Sequence, residues 1–173
     1  MNQIYFYTYF SKKGIVALSS STRFFFNCKV SNNLINGVSQ KYDSYSGGFI
    51  ADSSKSIFYS CTTTGNVISS ESLLKSYSGG LIAYSDSPTN YTDCNSFQNL
   101  LRSISKKSNP YSSSFIAYAS ISFFVTSSAD NNQIYSENIN KTKISYAGVF
   151  VGYSGSSLLY LSGASSTFNK FSF

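Results

Sequence analysis

Residues 45–54 read YSGGFIADSS, and residues 77–86 read YSGGLIAYSD. A phrase rewritten after 32 residues signals a tandem repeat, and a period of this size specifies a stacked architecture. The residue that opens the small-apolar-apolar phrase serves as an anchor. Anchors stand at Gly14 (GIVALS), Gly48 (GFIADS), Gly80 (GLIAYS), Ser114 (SFIAYA) and Gly148 (GVFVGY), spaced by 34, 32, 34 and 34 residues. Five recurrences cover nearly the whole chain.

Columns counted from the anchors keep their chemistry. Two residues on stand Val16, Ile50, Ile82, Ile116 and Phe150, and the next position holds Ala17, Ala51, Ala83, Ala117 and Val151. Eleven on come Phe25, Tyr59, Tyr91, Val125 and Leu159; twenty on come Leu34, Ile68, Leu100, Ile134 and Phe168. An apolar residue returning at one phase in every unit marks a core shared between units. Eighteen on come Asn32, Asn66, Gln98, Asn132 and Ser166. This column predicts either stacked side-chain amides bonded along an axis or corners where Asn favours a turn.

Helical repeats of similar length carry runs with 3.6-residue periodicity. These units hold short β-rich runs instead, such as FIA, IFYSC and LIAY, broken by Ser, Gly and Asn. The 15 Tyr and 15 Phe suit a pleated surface, and with only 12% charged residues the composition is unlike that of a disordered chain. The expected fold is all-β: a parallel β-helix, or β-solenoid, of about five coils of 32–34 residues. Right-handed winding is expected, because parallel crossovers prefer that hand. A partial N-terminal coil over residues 1–13 precedes repeats at 14–47, 48–79, 80–113, 114–147 and 148–173. The Gly-Gly pairs are expected to supply permissive backbone at a corner. Solenoids need capped ends, and neither end carries an evident cap, so a fragment of a longer array flanked by further repeats is expected.

The phrases Gly-Gly-Phe-Ile-Ala-Asp-Ser at 47–53, with Cys61 and Gly65-Asn66-Val67, and Gly-Gly-Leu-Ile-Ala-Tyr-Ser at 79–85, with Cys94, resemble the GLUG-type repeat. Ala51, Ala83 and Ala117 stand where that family commonly has glycine. The resemblance implies a β-solenoid within an adhesin-like surface or secreted protein, and hence an extracellular or cell-surface location. No clear signal peptide is present, and no run of 18 apolar residues exists to span a bilayer.

Chemistry-bearing residues give few candidates. With no His in the chain, a Ser–His or Cys–His nucleophile is excluded, and a metal site lacks partners for its cysteines. No cofactor and no catalytic residue is assigned. Cys28, Cys61 and Cys94 recur every 33 residues. They are read as a ladder of small buried hydrophobes, although neighbouring coils would also bring two of them within disulfide reach. Lys41, Lys75, Lys107 and Lys141, each 27 past an anchor, form either a stripe for an anionic ligand or a solvated edge that discourages strand association. The other basic residues are scattered from Lys12 to Lys170, which argues against nucleic acid as the partner of the +6 net charge. Tyr45, Tyr77 and Tyr111, with Tyr146 displaced by one, form either a platform for sugar rings or a stabilising ladder. Asn90 and Asn140 open sequons.

The expected function is a non-catalytic stalk or adhesion scaffold whose partner is a glycan or a host or matrix surface. The alternative is a carbohydrate-active enzyme, a polysaccharide lyase or glycoside hydrolase, on the same fold. Glu71 and Glu137 share a column two coils apart, about 10 Å by strand spacing, near the outer limit for an inverting pair of carboxylates.

Overall fold

The computed structural model describes residues 3–8, 11–13, 16–19, 23–53, 56–155, 159–162, 165–167 and 169–172. Every strand of the described residues pairs in parallel with its counterpart one coil away, which makes the fold a β-solenoid. Each coil contributes one strand to each of five sheets. The first sheet stacks Gln3–Thr8, Leu34–Ser39, Val67–Ser72, Leu100–Ser105, Gln133–Asn138 and Lys170–Ser172. The second stacks Ser11–Lys13, Ser44–Gly47, Ser76–Gly79, Pro110–Ser113 and Tyr146–Gly148. The third stacks Val16–Ser19, Ile50–Ser53, Ile82–Ser85, Ile116–Ala119 and Val151–Ser154. The fourth runs from Arg23–Phe26 to Leu159–Ser162, and the fifth from Lys29–Ser31 to Ser165–Thr167. The count differs slightly from the expected five coils, since each five-stranded sheet spans four coil-to-coil steps.

Val16, Ile50, Ile82 and Ile116 stand over one another as the repeat requires. The fifth member is Val151 and not Phe150. The reason lies in the corner between the first and second sheets: loops 40–43, 73–75 and 106–109 are short, whereas 139–145 is longer and shifts the last coil. Two further columns are corrected by one residue. Inward stacks run Phe25, Phe58, Tyr91, Phe124 and Ile35, Ile68, Leu101, Ile134, while Tyr59, Val125, Leu34 and Leu100 lie on the opposite face of their strands. In the fourth, fifth and first sheets the early coils keep a constant 33-residue step, whereas the anchors alternate between 32 and 34. Gly14 and Phe168 lie outside the described residues.

Two single-residue corners flank the fifth sheet. Asn27, Ser60, Asp93 and Thr126 form one, and Asn32, Gly65, Gln98 and Asn131 form the other, all with φ between 47° and 64°. The left-handed conformation turns the chain sharply, and the next residue in each case points inward. After the second corner that residue is Asn33, Asn66, Asn99 or Asn132, with Asn169 completing the column. Asn99 Oδ1 accepts from the backbone N–H of Asn66 at 3.0 Å and from its Nδ2 at 3.1 Å. Asn99 Nδ2 in turn donates to Thr63 O, Ser96 Oγ and Asn132 Oδ1. The amide ladder and the turn column therefore both exist, one residue apart. Of the five residues expected in one column, Asn66 and Asn132 belong to the ladder; Asn32 and Gln98 are corner residues.

The interior has two parts. Between the third, fourth and fifth sheets lies an aromatic and aliphatic core that includes Phe49, Phe58, Leu81, Tyr91, Phe115 and Phe124. Face-stacked rings bridge the coils there, with centroids 4.8 Å apart for Phe25–Phe58 and 4.6 Å for Tyr91–Phe124. Between the first and second sheets the filling is mostly serine. Ser70 Oγ donates to Ser44 O at 2.9 Å, Ser76 Oγ to Ser70 O at 2.5 Å, Ser78 Oγ to Arg102 O at 2.6 Å and Ser103 Oγ to Tyr111 O at 2.5 Å. Hydroxyls reaching across to the facing backbone let two sheets approach closely without stranding buried polar groups.

The Gly-Gly corners join the second sheet to the third. A Cβ on Gly79 would lie 1.7 Å from Ile82 O, and one on Gly80 would lie 1.8 Å from Ser114 O. Neither residue has positive φ. Close backbone approach, and not the conformational freedom expected, is what requires glycine here.

Replacing Asn99 with Ala strands several buried groups at once, so a loss of at least about 3 kcal/mol is expected, at roughly 1–3 kcal/mol per orphaned group. Gln98→Gly relieves a left-handed non-glycine residue and is expected to be neutral or stabilising by up to about 1 kcal/mol. Urea denaturation of the two variants checks the contrast; equal effects would contradict the ladder.

Candidate functional site

On the concave outer side where the second and third sheets meet, Tyr45, Tyr77, Tyr111 and Tyr146 stack in strict register. Their centroids are 4.8, 4.9 and 5.1 Å apart, and the rings lie within 6° of parallel. A second row, Tyr84, Tyr118 and Tyr153, rises from the third sheet. It meets the first edge-on, with Tyr77–Tyr84 at 5.5 Å and 72° and Tyr111–Tyr118 at 5.8 Å and 89°. Ala83 and Ala117 pack with both rows. Parallel stacking within rows and perpendicular contact between them satisfies the ring quadrupoles, at about 0.5–1.5 kcal/mol per pair beyond area burial. Tyr77 is only 2% exposed and Tyr111 5%, so their ring faces are used up by neighbours. The seam is a stabilising ladder, not a sugar platform. The second row escaped sequence reading, although a tyrosine four residues past the anchors at Gly80 and Ser114 was its signal.

Burial raises the phenols of Tyr45, Tyr77, Tyr84 and Tyr111 above the ordinary tyrosine range, and Asp43 adds to the effect on Tyr45 by accepting its hydroxyl at 3.3 Å. The fully buried Tyr91 is raised by the same desolvation.

The cysteines follow the first left-handed corner. All three are free thiols, and each donates to the carbonyl two residues before it: Cys28 to Phe26 O, Cys61 to Tyr59 O and Cys94 to Thr92 O. Ser127 takes the same place in the next coil and donates to Val125 O at 3.1 Å. The hydrogen bond with Cys61, together with burial, keeps the Cys94 thiol protonated. Among the described residues, no group of three or more Cys, Asp or Glu is placed to hold a metal ion.

Lys41, Lys75, Lys107 and Lys141 are all exposed and all lie in the loops between the first and second sheets. They do not form one vertical column. Backbone bonds from Leu73 to Ser39 O and from Lys107 to Leu73 O continue the first-sheet register and place Leu74 between Lys41 and Lys107. Lys75 and Lys141 stand one residue further on. Two lysines missed as candidates, Lys106 and Lys143, are exposed on the same edge. Lys106 Nζ lies 3.6 Å from Glu71 Oε1, a surface pair that contributes little to stability.

Glu71 and Glu137 do share a column, with Ile104 between them. Glu137 accepts from the Tyr135 hydroxyl. Asn90 lies exposed on the outer face of the fourth sheet beside Phe123, and Asn140 lies exposed in loop 139–145, its Nδ2 donating to Lys106 O at 2.7 Å. No helix of the described residues is long and apolar enough to cross a membrane.

No family model, curated protein or solved structure matches this chain.

The raised phenols set a pH dependence. An unfolded tyrosine ionises near pH ~10, whereas the seam phenols stay protonated well above it. Above that pH the unfolded chain releases protons that the folded chain holds, so stability is flat below about pH 10 and falls as pH rises past it. Near-ultraviolet absorbance should show one set of tyrosines ionising normally and a second set only on unfolding. A single ordinary titration of every tyrosine would contradict the buried seam.

Proposed function

We propose that the chain is a non-catalytic repeat segment of a cell-surface or secreted protein, serving as a stalk and adhesion scaffold of the GLUG-like kind. The observation that carries this reading is the repetition of one set of inter-coil bonds through successive coils: amide ladder, tyrosine seam and serine-filled slab. Such a cross-section propagates along an axis as a stiff rod whose outer faces vary independently of its interior. The carboxylates support the same reading, since they serve structural bonds. Asp43 accepts from the backbone of Lys75 and from Tyr45, Asp93 from Thr126, and Glu137 from Tyr135.

The rival reading, a polysaccharide lyase or glycoside hydrolase, draws on the shared column of Glu71 and Glu137. Two strand spacings separate them by about 10 Å, with an aliphatic side chain in the intervening position. An inverting pair sits roughly 6.5–9.5 Å apart across a water.

Purified chain is expected to bind host cells, extracellular matrix or arrayed glycans without depolymerising them. The double variant Glu71→Gln with Glu137→Gln should bind as the unaltered chain does. Absence of all binding would remove the adhesive role. Turnover of an acidic polysaccharide that disappears in the double variant would replace the scaffold reading with the enzymatic one.

A further inference from the structure

The edge formed by loops 40–43, 73–75, 106–109 and 139–145 combines two features that neither a stalk nor a solvated rim requires. It gathers six exposed lysines: Lys41, Lys75, Lys106, Lys107, Lys141 and Lys143. Set among them are exposed aliphatic tips: Leu74 is 37% exposed, Ile139 45% and Ile144 65%. These three are among the few large aliphatic side chains that the described surface exposes, and they lie on its most basic edge.

We infer that this edge docks on an anionic lipid surface. Lysines near such a surface gain from its negative potential, while leucine and isoleucine tips gain by entering the boundary between headgroups and acyl chains. A soluble polyanion would reward the lysines and leave the aliphatic tips in water. The presence of both favours lipid.

The backing is rigid. Ser39 Oγ accepts from the N–H of Tyr42 at 3.0 Å, Ser72 Oγ from Leu74 at 3.0 Å and Ser105 Oγ from Ser108 at 3.1 Å, so one clamp repeats along the edge. In the longest loop Asn138 takes that role, its Oδ1 accepting from the Thr142 N–H at 3.1 Å. The loops therefore present their tips in line over about 14 Å, three strand spacings. Nearby carboxylates are turned to local partners: Asp43 to the Lys75 backbone at 2.9 Å and Glu71 to Lys106. Beside Lys141 and Lys143 an open depression of about 460 Å³, bordered by Glu137, Asn138 and Ser145, offers room for a phosphodiester headgroup. The inference does not rest on the adhesive reading, since vesicle binding and cell, matrix or glycan binding can fail separately.

Vesicle sedimentation of the full chain tests it. Vesicles containing phosphatidylserine should retain the protein, pure phosphatidylcholine vesicles should not, and added salt should release it. Lys75→Gln and Lys141→Gln should each weaken partitioning about fivefold. Ile144→Asn should weaken it about tenfold while leaving the salt dependence and circular dichroism unchanged. Equal partitioning to neutral vesicles, or no partitioning to anionic ones, overturns the proposal. So does retention on heparin in which Ile144→Asn matches the unaltered chain and no vesicle is bound, because the partner is then a soluble polyanion.

Discussion

In-register parallel pairing makes the nearest neighbour of each residue its own counterpart, one coil away at about 4.8 Å. A position can repeat only if its side chain tolerates a copy of itself above and below. Asparagine does, because its amide donates one way along the axis and accepts the other. Tyrosine and phenylalanine do, through offset ring faces. Charges do not, since like charges directly opposite one another are destabilising. Among the registered strand pairs, no two like charges meet: Glu71 and Glu137 flank Ile104, Lys29 stands over Thr62, and Arg102 over Tyr135. The last of these is also a cation–π contact, with the guanidinium carbon 5.4 Å from the ring centroid.

The same constraint explains why one chain contains two unlike interiors. Where three sheets enclose a wide space, large rings fill it and stack from coil to coil. Where the first and second sheets run face to face, only short side chains fit, and serine both fits and satisfies the opposing carbonyls. The abundance of serine is therefore a packing requirement as much as a surface property. Between the two regions the Gly-Gly corner brings backbone within the space of a Cβ, leaving no room for a side chain at Gly47 or Gly79.

Fold class was legible because the repeated phrase spans the second sheet, the Gly-Gly corner and the third sheet, where Tyr45–Tyr77 and Ile50–Ile82 keep register without slippage. Further from the anchor the reading slipped by one residue. Variable corners, such as 73–75 against 106–109, are absorbed before the chain regains its constant step. That slip hid Asn33 and Asn99 behind Asn32 and Gln98, replaced Phe58 and Phe124 with their outward neighbours, and made four lysines look like one column. Tyr146 seemed displaced only because the long loop 139–145 moves the whole last coil; in the fold it stacks on Tyr111. The basic edge was half legible. Its lysines were visible by period, but Leu74, Ile139 and Ile144 gained meaning only once the loops were stacked.

The central claim is that successive coils superimpose residue upon residue. Methyl-labelled isoleucine and leucine give the most direct measurement, through nuclear Overhauser contacts between side chains far apart in sequence. The register requires an unbroken relay from Ile50 to Ile82 to Ile116, and a separate one from Ile35 through Ile68 and Leu101 to Ile134. Contacts linking Leu34 or Leu100 into the second relay in place of Ile35 or Leu101, or no relay at all, would contradict the stacked fold.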